Sequence, residues 1–150
     1  MAGQGKTTRL YASMLREEGW NVIYTCIPNS PHVRVIPIPT AHGVSKQRYP
    51  DILAVKNNRI LLVEVEMTLT NAVAEDISLR FSEMQKSLEN IDIYRGWSRA
   101  VEISSNVTMP ITPDVEMRLK LVNGLNAESS PLLKNLSQQN ITLVLDKSNT

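Results

Sequence analysis

Apolar positions in this chain fall into two kinds of run, some recurring every three or four residues and some nearly unbroken. Residues 7–18 carry Leu10, Tyr11, Met14 and Leu15 at helical spacing, and Gly19 is placed to end that helix. Residues 20–27 read as a strand and 28–31 as a loop. Residues 33–38 are strand-like, with Pro37 pointing to an edge or an early end to pairing. A polar, basic loop at 40–48 feeds the stretch 49–66, two apolar strands joined by Asn57-Asn58, which is the turn chemistry of an antiparallel hairpin. Within it, residues 61–65 are apolar on both faces apart from Glu64, the pattern of a central strand covered on both sides. A long helix follows at about 71–90, where Ile77, Phe81, Met84, Leu88 and Ile91 step by four, three, four and three residues. Residues 99–104 predict another strand. Thr112-Pro113-Asp114 predicts a helix start, with Val115, Leu119 and Val122 as the buried face and Asn123-Gly124 as the end. Residues 126–139 read as loop with room for a short helix, 141–145 as a last strand and 146–150 as a tail. This order suits an α/β fold, a mixed sheet flanked by helices on both sides.

The acids of the hairpin change the picture. Asp51 opens its first strand, while Glu64 and Glu66 lie near the end of the second. Strand side chains alternate, so Leu62, Glu64 and Glu66 share one face and Leu61, Val63 and Val65 the other. Folding at Asn57-Asn58 then brings Asp51 beside Glu64 and Glu66. Like charges that close require a cation or a shared proton. Acids at strand ends are commonly solvated edge residues, but that does not explain an acid inside a doubly covered strand.

Composition narrows the chemistry. At 150 residues, 42% hydrophobic and 21% charged, the chain can build a sizeable core as one globular domain. Its net charge of +1 announces no nucleic-acid partner, although a local basic surface can coexist with a neutral total. Cys26 is the single cysteine, and His32 and His42 are the only histidines, so an intrachain disulfide and Cys- or His-rich metal sites are excluded. Any metal must be held mainly by oxygen, which favours magnesium, manganese or calcium. Neither a transmembrane run nor a signal-peptide pattern is visible, so an intracellular protein without a membrane partner is expected.

Gly5-Lys6-Thr7 looks like the end of a phosphate-binding loop opening a helix. The full pattern needs a preceding strand and an earlier glycine, and Met1 arrives before either. Lys6 and Arg9 are expected to supply positive charge at an exposed helix end, and a nucleotide hydrolase rests on this tripeptide alone.

Taken together, the element order and the acids resemble the PD-(D/E)XK nuclease superfamily, the restriction-endonuclease-like fold. Pro50-Asp51, a spacer, and Glu64-Val65-Glu66 match its layout, with a helix before and a helix after, over roughly residues 7–104. The resemblance implies a single nuclease-like domain over residues 1–150 that hydrolyses DNA phosphodiester bonds with magnesium (or manganese). It implies Asp51 and Glu64 as metal ligands, the Val65 carbonyl as a further one, and Asp51, Glu64 and Glu66 as catalytic residues. Most members carry Lys where this chain has Glu66; a minority carry a second Glu. The site is therefore an active E-x-E site, one with a Lys from elsewhere, or a decayed one. Lys56, roughly 16 Å from Asp51 at ~3.3 Å per residue, is a poor substitute. Arg80 and Glu75 are better placed than Lys86 to support the acids. Archaeal Holliday junction resolvases of the superfamily complete their site with a Glu on the first helix, and Leu10 falls at that position. A junction-resolving role is thus less expected than restriction-like or general nicking activity. Lys46, Gln47 and Arg48, just upstream of Asp51, are the candidate DNA contacts, and Trp97 is expected to pack. Duplex DNA has two strands and this chain one site, so a homodimer is expected. The alternative reading is a nucleic-acid-binding module of the same fold that no longer cuts.

Overall fold

In the computed structural model, which describes residues 3–27, 35–40, 47–125 and 130–145, the first helix α1 (Gly3–Glu17) buries Thr8, Tyr11, Ala12 and Leu15. That stripe steps by three, one and three residues, one face of a helix. Leu10 and Met14 lie off it and are 57% and 50% exposed, so they are not the core positions the spacing predicts. The Gly-Lys-Thr tripeptide lies inside this helix rather than in a phosphate-binding loop. Gly19 takes φ +97°, the Gly19 amide donates to the Arg16 carbonyl and the Trp20 amide to that of Leu15. Two terminal carbonyls are thereby satisfied and Trp20 folds back on the core.

Five strands form the main sheet in the order β1 (Asn21–Thr25), β4 (Ile52–Lys56), β5 (Arg59–Glu66), β6 (Asp114–Leu121) and β7 (Ile141–Val144). The β1–β4 and β4–β5 pairs are antiparallel, while β5–β6 and β6–β7 are parallel. A separate two-stranded ribbon pairs β2 (Ile38–Pro39) with β3 (Gln47–Arg48). The end of the expected loop at 40–48 is thus a strand. Only Ile38 of the strand-like stretch 33–38 is paired, and Val33 and Arg34 lie outside the described residues, as does the loop at 28–31.

The hairpin forms as expected. Lys56 faces Arg59 across a two-residue turn, with Asn57 at φ +56°, a conformation Asn tolerates. Its second strand, β5, is the centre of the sheet. Leu61, Val63 and Val65 pack with α1, whereas Ile60 and Leu62 pack into the larger core beneath α2 (Asn71–Glu89) and α3 (Ile91–Ser105). Thr70 caps α2, its hydroxyl accepting from the Val73 amide at 3.2 Å. Thr70→Ala is expected to cost about 1 kcal/mol, read as a lower urea midpoint at unchanged slope.

Two expected elements exchange type. Residues 99–104 belong to α3, whose buried face is Tyr94, Trp97 and Val101. Asn90 ends α2 and at once caps α3 by accepting from Asp92 and Ile93, so Ile91 opens a new helix and is exposed. Trp97 is buried and donates to the Ile36 carbonyl at 3.3 Å, a packing residue as expected. The stretch opened by Thr112-Pro113-Asp114 is strand β6: Met117, Leu119 and Leu121 enter the larger core, while Glu116, Arg118 and Lys120 alternate to the other face. A helix-capping signal is worth about 1 kcal/mol, less than an eight-residue ladder against β5. A short helix, α4 (Leu133–Gln138), follows a 3₁₀ turn and precedes β7.

Candidate active site

Hairpin register carries the acids to one end of the sheet. Ile52 lies opposite Val63, which sets Asp51 just beyond β4 across from Glu64. The Asp51 carboxylate accepts a hydrogen bond from the Val65 amide at 2.8 Å, while the Asp51 carbonyl accepts from the Cys26 amide at 2.7 Å. Asp51 is thus tied to both neighbouring strands. Burial nonetheless raises its pKa, only partly offset by the Val65 hydrogen bond and the charge of Arg80.

Glu64 is the acid that a central strand should not contain. It is 4% exposed, and its pKa is pushed up to about 8, first by burial and then by the charge of Asp51. Arg80 on α2 opposes that shift. Its Nε and Nη2 both approach Glu64 Oε1 at 3.1 Å, and Nη2 also donates to the Tyr49 carbonyl at 3.3 Å. The second oxygen, Oε2, is buried and has no hydrogen-bond partner among the described residues. Leaving a buried carboxylate oxygen unpaired is costly unless a ligand completes it.

Glu66, two residues on, is partly buried, with its pKa raised by burial and by the charges of Asp51 and Asp76. Among the described residues no three His, Cys, Asp or Glu side chains converge closely enough to hold an ion between them. The three acids therefore gather less tightly than the hairpin pattern predicts. Asp51, Glu64 and the Val65 carbonyl remain an all-oxygen donor set of the kind magnesium takes alongside several waters. The orphaned Glu64 oxygen fits such an ion.

Beside these groups lies a cleft of about 440 Å³ walled by Gln4 and Thr8 from α1, Cys26 after β1, Arg48 of β3, Tyr49, Asp51 and Arg80. Gln4 donates from Nε2 to the Val65 carbonyl at 2.5 Å, which leaves that oxygen a second lone pair. Thr8 donates back to the Gln4 carbonyl at 2.8 Å. Sequence reasoning missed Gln4, Thr8 and Cys26. The signal for the first two was a polar pair four residues apart on the buried side of α1, masked by the phosphate-loop look of the same segment. Tyr24 was missed as well: its buried hydroxyl has no partner among the described residues, and after burial itself Cys26, Glu64 and Asp51 help hold its pKa up.

Of the candidate DNA contacts, Arg48 lines the cleft but also bonds Glu83 of α2 at 2.9 Å. Gln47 lies in β3 opposite Pro39, and Lys46 lies outside the described residues. Of the two supporting candidates only Arg80 reaches the acids; Glu75 is exposed on a groove between α2 and α4. Lys56 is no substitute cation, since its Nζ donates to the Glu18 carbonyl at 2.7 Å near the hairpin turn.

The family model of archaeal Holliday junction resolvases (Hjc) matches residues 3–89, more than half of the chain and every element that walls the cleft. Among curated proteins and among solved structures none matches. The match reverses the expectation that junction resolution is the less supported role. That expectation leaned on Leu10, which points to solvent; the residues α1 contributes to the cleft are Gln4 and Thr8.

Proposed function

The chain belongs to the archaeal Holliday junction resolvase (Hjc) family, and on that premise we propose that its cleft cuts four-way DNA junctions with Asp51, Glu64 and Glu66 at the reacting centre. Members of the family are metal-dependent endonucleases of restriction-endonuclease-like fold that cleave DNA phosphodiester bonds, and this chain is such an enzyme. The observation that carries the residue assignment is Glu64: an interior carboxylate beside Asp51 with one oxygen unpaired among the described residues.

Asp51, Glu64 and the Val65 carbonyl would hold the metal. Magnesium, or manganese in its place, suits two carboxylates, a carbonyl and water. When bound, such an ion polarises a phosphate oxygen and offsets the charge that develops on it. The chain's own groups do the remainder. The Val65 amide fixes Asp51, and Arg80 fixes one oxygen of Glu64. Glu66, whose pKa is raised from the usual carboxylate range, accepts the proton of the attacking water. Arg48, with Lys46 and Gln47 beside it in sequence, contacts phosphates flanking the scissile one. A junction requires two cuts and each chain has one site, so the working unit is a homodimer. Residues 1–150 act as one nuclease domain inside the cell; no described helix is long and apolar enough to cross a membrane.

The test incubates the protein with a synthetic four-way junction, the matching duplex and a single strand, each with magnesium, manganese or EDTA. Metal-dependent nicks in the junction, with the duplex left largely intact, are expected. Binding to the junction with no cleavage of any substrate would refute the catalytic assignment in favour of a module that only binds.

A further inference from the structure

We propose that Arg80 is the cation of this active site, reaching from α2 to contact the substrate phosphate, in the role that a lysine at position 66 fills in most chains with this hairpin layout. The inference rests on the nuclease reading of Asp51 and Glu64. It begins with Glu66, which puts a negative charge where that lysine would stand. Arg48 lines the same cleft, but its Nε is bonded to Glu83 rather than to Asp51 or Glu64, and the basic residues of β6 face elsewhere. Lys120 pairs in register with Val65, but it shares the α1 face and sets its Nζ 5.7 Å from the Tyr11 ring centroid. Arg118 bonds Glu116 at 2.6 Å and the Tyr11 hydroxyl at 3.0 Å on that same face. Both stand on the side of the sheet away from Glu64.

Arg80 stands on the correct side and is held in place. Its Nε and Nη2 grip Glu64 Oε1, and Nη2 also reaches the Tyr49 carbonyl, two residues before Asp51. The side chain is 25% exposed and lines the cleft together with Asp51. Its Nη1 has no partner among the described residues. A guanidinium fixed along one edge leaves the two N–H groups of Nη1 to donate, and from a position held in place they can reach a phosphate oxygen. An Arg serving only to neutralise Glu64 would need neither the second anchor at Tyr49 nor a place on the cleft wall.

The experiment uses the full chain on a four-way junction, comparing wild type with Arg80→Met and Arg80→Lys. Arg80→Met is expected to lower the single-turnover rate by about a hundredfold or more, as loss of a transition-state donor does. Free guanidinium should restore part of that rate, by returning a donor of the same charge to the site. Binding in EDTA gives a readout independent of catalysis: the slope of log affinity against log salt should fall by about one for Arg80→Met and stay unchanged for Arg80→Lys. Urea unfolding checks that each variant folds; if Arg80→Met does not, Arg80→Lys carries the test through an intermediate rate at an unchanged slope. An unchanged slope for Arg80→Met, or a rate loss that free guanidinium does not relieve, overturns the role of Arg80 alone. A wild-type protein that leaves every DNA uncut overturns the nuclease reading beneath it.

Discussion

Asp51→Asn will slow junction cleavage by about a thousandfold, roughly 4 kcal/mol of transition-state stabilisation, while the folded chain becomes more stable at neutral pH. The two effects share one cause. Asn keeps an oxygen that can accept from the Val65 amide, so the 2.8 Å contact that ties the start of β4 to β5 survives. What disappears is a buried negative charge, and with it both a proposed metal donor and the carboxylate that acts most on Glu64. Single-turnover kinetics and thermal unfolding on the same preparation check the pair. Lost activity with lowered stability would mean that the substitution damaged the fold; retained activity would remove Asp51 from the chemistry.

The second large effect is a dependence of stability on pH. Glu64 in the folded protein has its pKa near 8 against an ordinary value of 4.5. Between those values the folded chain keeps a proton that the unfolded chain releases, so the folded state binds more protons and unfolding becomes easier as pH rises. Asp51 and Glu66 are raised too and act in the same direction. In EDTA the melting temperature should therefore fall from pH 5 to pH 8 and level off above it. The fall amounts to several degrees, at roughly 2–4 °C per kcal/mol for a domain of this size. Glu64→Gln should flatten most of that slope, since an amide carries no charge at either end of the window. Adding magnesium at pH 8 should raise the melting temperature of wild type and leave Glu64→Gln and Asp51→Asn nearly unmoved. A wild-type curve that stays level or rises from pH 5 to pH 8 would contradict the burial of Glu64.

The parts that could be read from the chain are those where one strong local pattern agrees with its surroundings. The Asn57-Asn58 turn, the unbroken apolar run of β5 and the stripe of α2 each admit one arrangement, and the hairpin register then places Asp51 across from Glu64 with no further information. Reading failed where a local signal competed with a distant partner. Thr112-Pro113-Asp114 carries good helix-starting chemistry, yet the alternation from Met117 to Leu121 serves the ladder with β5, more than fifty residues earlier. Residues 99–104 are rich enough in β-formers to suggest a strand, but the Asn90 cap and the buried trio Tyr94, Trp97 and Val101 set a helix. The cleft divides in the same way. Its acids announce themselves because charge within an apolar strand is conspicuous, whereas Gln4 and Thr8 are ordinary helix residues until the fold stands them over Val65.

The family match ends at residue 89, and β6 lies beyond it. All eight residues of β5 pair with β6 along one edge. The section that bears the chemistry is therefore not the section that closes the sheet around it. Stripped of the later section, β5 would offer a long apolar strand edge to any passing chain, and Glu64 would lose the neighbour that helps keep its backbone in the interior. Pairing of this kind runs through the main chain, so the later section can change its exposed side chains, though not its core ones, and still shelter the site.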